Sequence, residues 1–322
     1  MSAAASVAGV LALSACTGKP GGPGLTRPSR TAGVTVLSPH ASLYVVPARG
    51  GTARPLLRPG DAARLDSESG PAWSPNGRWI AFAAGCVSCP SRLYVVSRTG
   101  AHLREVSTGA GSVSSPGWSP DGRAIVFARQ RGETQVLYSV DRRTDRLRLV
   151  NGEPEGVDNS DSAPAWAPGG RWIAFSREVH HERVNLYLVP AAGGHPRRMT
   201  KRTSSEQTHP SWSPDGRQVV FMQAAPPRFT WDLFMLNAMR GTTRPITRNP
   251  HNEFDPTWSP DGKQIVYASD AASKAGFRSL YVTGADGRGL RRVTAAPDDD
   301  SMPSWSPDGA AIVFVRRPIV RT

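Results

Sequence analysis

Glu68, Asp161, Glu253 and Asp300 occupy one recurring position of this chain, each three residues before a proline that opens a phrase of the form Pro-x-Trp-Ser-Pro-Asp-Gly. Val113 and Gln207 fill the position in the other two copies, and His209 and Asp255 stand one residue before the proline in theirs. Asp66, His251 and Asp298 stand five residues before their prolines. Carboxylates gathered into one space repel one another, which raises some of their pKa values unless a cation neutralises them. Oxygen-rich sets favour Ca²⁺, Mg²⁺ or Mn²⁺ over softer metals. Glu68, Asp161, Glu253 and Asp300 are therefore candidates for a divalent cation, and with Gln207, His209 and Asp255 they form a candidate site for a basic peptide segment. The plainer chemistry is that each carboxylate only caps nearby backbone N–H groups where a strand begins.

The positions become comparable because the phrase is periodic. Its tryptophans are Trp73, Trp118, Trp166, Trp212, Trp258 and Trp305, at intervals of 45, 48, 46, 46 and 47 residues. Proline presets φ for a tight turn, Asp bonds neighbouring N–H groups and Gly supplies a positive φ, so the phrase is a device for reversing the chain. An alternating apolar segment follows each copy, as in Trp79 to Phe82 and Val219 to Phe221, and signals a half-buried strand. A Leu-Tyr or Leu-Phe step then marks a third strand, and an Arg-apolar-Thr type of ending marks a fourth, as at Arg292-Val293-Thr294. Four strands in such a period predict the blade of a β-propeller. The third copy is degraded, with Ala167 and Gly169 in place of Ser and Asp.

The sixth copy stops before its Tyr strand, while Leu43-Tyr44-Val45-Val46 and Arg54-Pro55-Leu56-Leu57 form the back half of a repeat with no front half. Joined, the two halves predict an all-β, six-bladed propeller of four-stranded antiparallel blades, closed by pairing N-terminal strands with the C-terminal half-repeat. Closure also removes the free edges that invite aggregation. The phrase resembles the TolB-type, WD40-like propeller repeat found in periplasmic TolB and in the propellers of some peptidases. The resemblance covers residues 41–317, and does not extend to the α/β domain that precedes the propeller in full TolB proteins. It implies an extracytoplasmic propeller, and since propellers host many activities, the site and not the fold must decide function.

Residues 1–16 hold an uncharged apolar stretch, Ala3 to Leu13, ending in Leu13-Ser14-Ala15-Cys16. The stretch is too short to span a bilayer and reads as an export signal. Its end resembles a lipoprotein lipobox, which makes Cys16 the expected lipidation site. Residues 17–40, rich in Gly, Pro, Ser and Thr, are expected to be a flexible linker, and residues 318–322 a tail. Cys86 and Cys89 are set as Cys-Val-Ser-Cys in a loop. Redox use would need a βαβ setting and zinc two further ligands, so outside the cytoplasm a local disulfide is the favoured reading.

The net charge is +13, yet no nucleic-acid motif accompanies it. The expected partners are a protein or peptide of the cell envelope, and a membrane surface reached through the lipid anchor and the basic surface, or else the charge serves only solvation. The absence of a Gly-x-Ser-x-Gly elbow argues against a serine hydrolase. The expectation is a monomeric, non-catalytic scaffold without a cofactor other than a channel cation. The alternative is a metal-dependent propeller enzyme acting on polysaccharide, lyase-like, or on peptide. A segment from Met222 to Asp232, with Pro226, Pro227, Phe229 and Trp231, is the expected loop for an aromatic anchor.

Overall fold

The computed structural model describes residues 35–37, 41–62, 66–85, 89–151, 159–180, 183–201, 205–224, 230–273, 275–295 and 297–321, with side chains for all of these except 35–37, 60, 62–69, 320 and 321. Six four-stranded antiparallel sheets follow one another along the chain. Blade I comprises Asp66–Trp73, Trp79–Gly85, Arg92–Ser97 and Arg104–Val106. Blade II comprises Val113–Trp118, Ala124–Arg131, Thr134–Asp141 and Leu147–Leu149. Blade III is Asn159–Trp166, Trp172–Val179, Asn185–Pro190 and Arg197–Arg198. Blade IV is Glu206–Trp212, Gln218–Ala224, Trp231–Asn237 and Thr243–Pro245. Blade V is Glu253–Trp258, Gln264–Ser269, Ser279–Gly284 and Arg291–Arg292.

Blade VI is built from both ends of the chain. Asp299–Trp305 and Ala311–Arg317 supply its inner strands, and Ser42–Pro47 and Arg54–Pro55 its outer ones. Tyr44 pairs with Phe314 and Val45 with Val313, so the expected closure is present. The pairing goes further than the sequence indicated. Thr35–Leu37, inside the expected linker, runs antiparallel to Ile319–Arg321, inside the expected tail.

The repeated phrase does what its residue types dictate. In each copy the Gly N–H bonds the carbonyl three residues back at 2.8 to 3.0 Å, and the glycine φ lies between +66° and +70°. The Asp or Asn side chain accepts the N–H two residues on, as at Asp215 and Arg217 (3.0 Å). The serine has a role that the phrase alone did not disclose. Ser213 donates its hydroxyl to Asp215 at 2.6 Å while accepting the Gln218 N–H at 2.9 Å, and Ser74, Ser119, Ser259 and Ser306 do the same in their blades. These turns share one face of the disc with the links between third and outer strands. The other face carries the links between second and third strands and the crossovers from blade to blade.

The core lies between blades. Second strands are buried on both sides, and Phe82, Phe127, Phe175, Phe221 and Phe314 are wholly enclosed at one repeated position, with Tyr267 completing the set. Each stands opposite a third-strand aromatic, such as Phe82 against Tyr94 and Tyr267 against Tyr281, with ring centroids 5.7 to 6.4 Å apart across the six pairs. Burying one such ring stabilises by roughly 2–3 kcal/mol, which is why the Leu-Tyr signature recurs.

Candidate functional site at the central channel

The innermost strands share a local irregularity that shapes the axis. In every blade the ladder between first and second strand shifts register just before the phrase. The residue preceding the proline is left-handed in all six copies: Gly70, Ser115, Ala163, His209, Asp255 and Met302 have φ of +45° to +53°. Five of the six are not glycine, in a conformation that costs L-residues about 1 kcal/mol or more. The bulge turns this residue, the proline and the next residue toward the axis. Together the six triplets line a central cavity of about 230 Å³.

Six prolines and small residues make most of that wall apolar, and its ionisable side chains are His209 and Asp255 from adjacent blades. His209 Nε2 lies 3.6 Å from Asp255 Oδ1, with the histidine side chain 41% exposed and the carboxylate 13%. His209 Nδ1 is 3.1 Å from the Thr208 hydroxyl, and its backbone N–H donates to Ser176 Oγ at 3.1 Å. Asp255 Oδ2 accepts the Met302 N–H at 3.2 Å. The pair thus presents one anionic acceptor and one imidazole on an otherwise apolar ring.

The other expected site residues lie elsewhere. Asp161 and Asp300, 1% and 0% exposed, point into the blades and are gripped by arginines of the neighbouring strand. Arg177 Nε and Nη2 donate to Asp161 at 2.6 and 2.8 Å, and Arg316 donates to Asp300 at 2.7 and 2.9 Å. Each arginine also lies over an aromatic pair, Arg316 5.0 Å from the Tyr44 ring centre. Gln207, at the equivalent position, bonds Gln223 at 3.0 Å. The side chain of Glu68 lies outside the described residues, as do Cys16, Cys86 and Phe229; Cys89 is disulfide-bonded.

On its other side this position is tied to the preceding blade. Asn151 donates to Asp161, Thr200 to Gln207 and Thr247 to Glu253, the last at 2.9 Å. Asn151, Thr247 and Thr294 also accept the N–H of Leu137, Leu233 and Leu280. A hydrogen-bond chain therefore runs from one blade's third strand, through the end of its outer strand, into the next blade's innermost strand. Of the carboxylates expected to share a cation, Asp161, Glu253 and Asp300 are each held by partners of their own, and among the described residues no three His, Cys, Asp or Glu side chains are grouped to hold a metal ion. The sequence carried a signal for the pairs, because Arg177 and Arg316 each fall sixteen residues after the Asp they hold.

Among the described residues no arginine holds Glu253; the residue opposite is Ser269. Burial pushes its pKa up to about 7, against the hydrogen bonds from Asn249 and Thr247 and with help from the charges of Asp232 and Asp270. The expected aromatic loop is shorter than its residue types suggested, since Met222 to Ala224 and Trp231 to Asp232 belong to paired strands. Trp231 packs partly buried against a cluster that includes Met222, Leu233 and Trp258.

Residues 229–319 match the family model described as the TolB beta propeller domain. Among solved structures the chain is similar to a putative TolB from Agrobacterium tumefaciens (19% identity, 88% of this chain and 100% of that one, TM-score 0.71). TolB from Acinetobacter baumannii is similar at 17% identity over 87% of this chain and 68% of that one, TM-score 0.65. An oligogalacturonate lyase in complex with manganese is similar at 14% identity over 89% and 98%, TM-score 0.57. These matches support a TolB-type propeller. At these identities the structural likenesses establish the fold, and they include both TolB proteins and an enzyme. No curated protein matches the chain.

Proposed function

We propose that the protein is a non-catalytic, extracytoplasmic propeller, held at the membrane by a lipidated Cys16, that binds a protein partner of the cell envelope at its channel mouth. The observation that carries this reading is the His209–Asp255 pair on a channel wall otherwise made of prolines, small residues and Met302. A narrow apolar ring with one anionic acceptor suits the entry of a peptide segment that presents a basic or hydrogen-bond-donating group, with affinity coming from enclosed contacts and specificity from the charge. The match of residues 229–319 to the TolB beta propeller domain supports the same class.

Affinity capture from envelope extracts with the intact protein and with His209→Ala/Asp255→Asn tests the proposal. A specific protein retained by the former and lost with the latter supports it; retention that ignores both substitutions overturns it. A second reading, a metal-dependent enzyme on polysaccharide or peptide, draws on His and Asp being metal-ligating types that face the channel together. Calorimetric Ca²⁺ or Mn²⁺ binding abolished by the same double variant, with turnover of a polyuronate or a peptide, would favour it.

A further inference from the structure

We infer that the face carrying the Ser-Pro-Asp-Gly turns is a docking surface for an anionic lipid bilayer. The residue after the turn glycine is Arg78, Arg123, Arg171, Arg217 and Lys263 in five of the six blades, and all five are exposed. Their shared position in the repeat places them as a ring on one face of the disc. Each turn aspartate offsets its neighbour in part. The links between third and outer strands on the same face add further exposed cations, among them Arg240 and Arg288, so cations outnumber carboxylates there. In blade II a cleft of about 670 Å³ on this face is lined by Arg123, Arg142 and Arg143, with Asp141 the carboxylate among them.

A second observation points the same way independently. Among the described residues the exposed large hydrophobic side chains are Met239, 88% exposed, and Leu290, 62% exposed. Met239 lies in the link between third and outer strands of blade IV and Leu290 in that of blade V, so both stand on the cationic face in adjacent blades. The Met239 turn is fixed by its own bonds, with Asn237 Oδ1 accepting the N–H groups of Met239 at 3.1 Å and Arg240 at 2.9 Å. Apolar side chains held outward singly, each beside a cation, differ from a protein interface, whose apolar residues form one contiguous core. They match a surface whose cations meet headgroup phosphates while isolated apolar tips enter the acyl boundary.

This surface is separate from the channel pair, so failure of either proposal leaves the other standing. The test is flotation of the full chain carrying Cys16→Ser, so that no acyl group contributes, with phosphatidylglycerol or phosphatidylcholine vesicles. Arg217→Glu/Arg240→Glu/Lys263→Glu is compared with Arg183→Glu/Lys201→Glu/Arg248→Glu, which changes net charge equally on the opposite face. Expected is binding to the anionic vesicles alone, falling about 100-fold in the first variant and far less in the second, and falling roughly tenfold in Met239→Ser/Leu290→Ser. Equal losses from the two charge variants, indifference to Met239 and Leu290, or binding to polyglutamate or DNA without vesicle binding would each overturn the inference.

Discussion

Asp161 and Asp300, each three positions before its proline, are used for construction. A buried carboxylate costs several kcal/mol unless its oxygens are satisfied, and Asp161 and Asp300 are satisfied by an arginine on one side and by the preceding blade on the other. Removing only the acid takes from a buried guanidinium the carboxylate that holds it at two nitrogens. Asp161→Ala should therefore lower unfolding stability by about 3–5 kcal/mol, read by chemical denaturation, and Asp161→Ala/Arg177→Met should recover much of the loss. Glu253 lacks such a partner and behaves in the opposite sense. Its folded-state pKa of about 7 lies above the ordinary 4.5, so the folded form holds the proton more tightly and stability falls as pH rises from about 4.5 to 7. Glu253→Gln should stabilise the protein at pH 8 by on the order of 2 kcal/mol and make little difference at pH 4, as followed by Tm across that range. A variant less stable than the parent at pH 8 would count against this account.

At the scale of the element, the turn shows how a copy degrades without breaking the blade. With Ala167 and Gly169, blade III keeps the backbone bond from the Gly170 N–H to the Ala167 carbonyl at 2.8 Å. It lacks the hydroxyl relay that Ser213 and Asp215 make in blade IV. A Cβ at Gly169 meets nothing within 4 Å, so Ala167→Ser/Gly169→Asp should fit and add about 1–2 kcal/mol of stability, partly by restricting the unfolded chain. Calorimetry showing no gain would mean that the relay contributes little elsewhere too. The strands were legible from the sequence because the phrase, the alternating run and the Leu-Tyr step each have a local cause. The bulge was not, since a left-handed Ser115, Ala163 or Met302 has no preference for that conformation. It is imposed by six strands converging on an axis, and that convergence decides that His209 and Asp255 face the channel while Asp161, Gln207, Glu253 and Asp300 turn into the seams. Position in the repeat placed these residues on the innermost strands but could not say which way each points.

For the whole molecule, closure is the device on which the rest depends, and the repeat count announced it. Without the segment through Leu57, Ala311–Arg317 would present an unpaired edge and Phe314 would lose its cover by Tyr44. Deleting residues 1–57 should give a species that self-associates, seen as oligomers by size-exclusion chromatography; a stable, cooperatively unfolding monomer would contradict the role assigned to the closing strands. The same arrangement sets a timetable. Leu43, Tyr44, Val45 and Val46 leave the ribosome five blades ahead of their partners at Ile312 to Val315. While the five intervening blades are made, an apolar strand therefore waits without a neighbour, exposed to wrong pairings, and the chain has a kinetic reason to be escorted or held open until Ile312 to Val315 arrive.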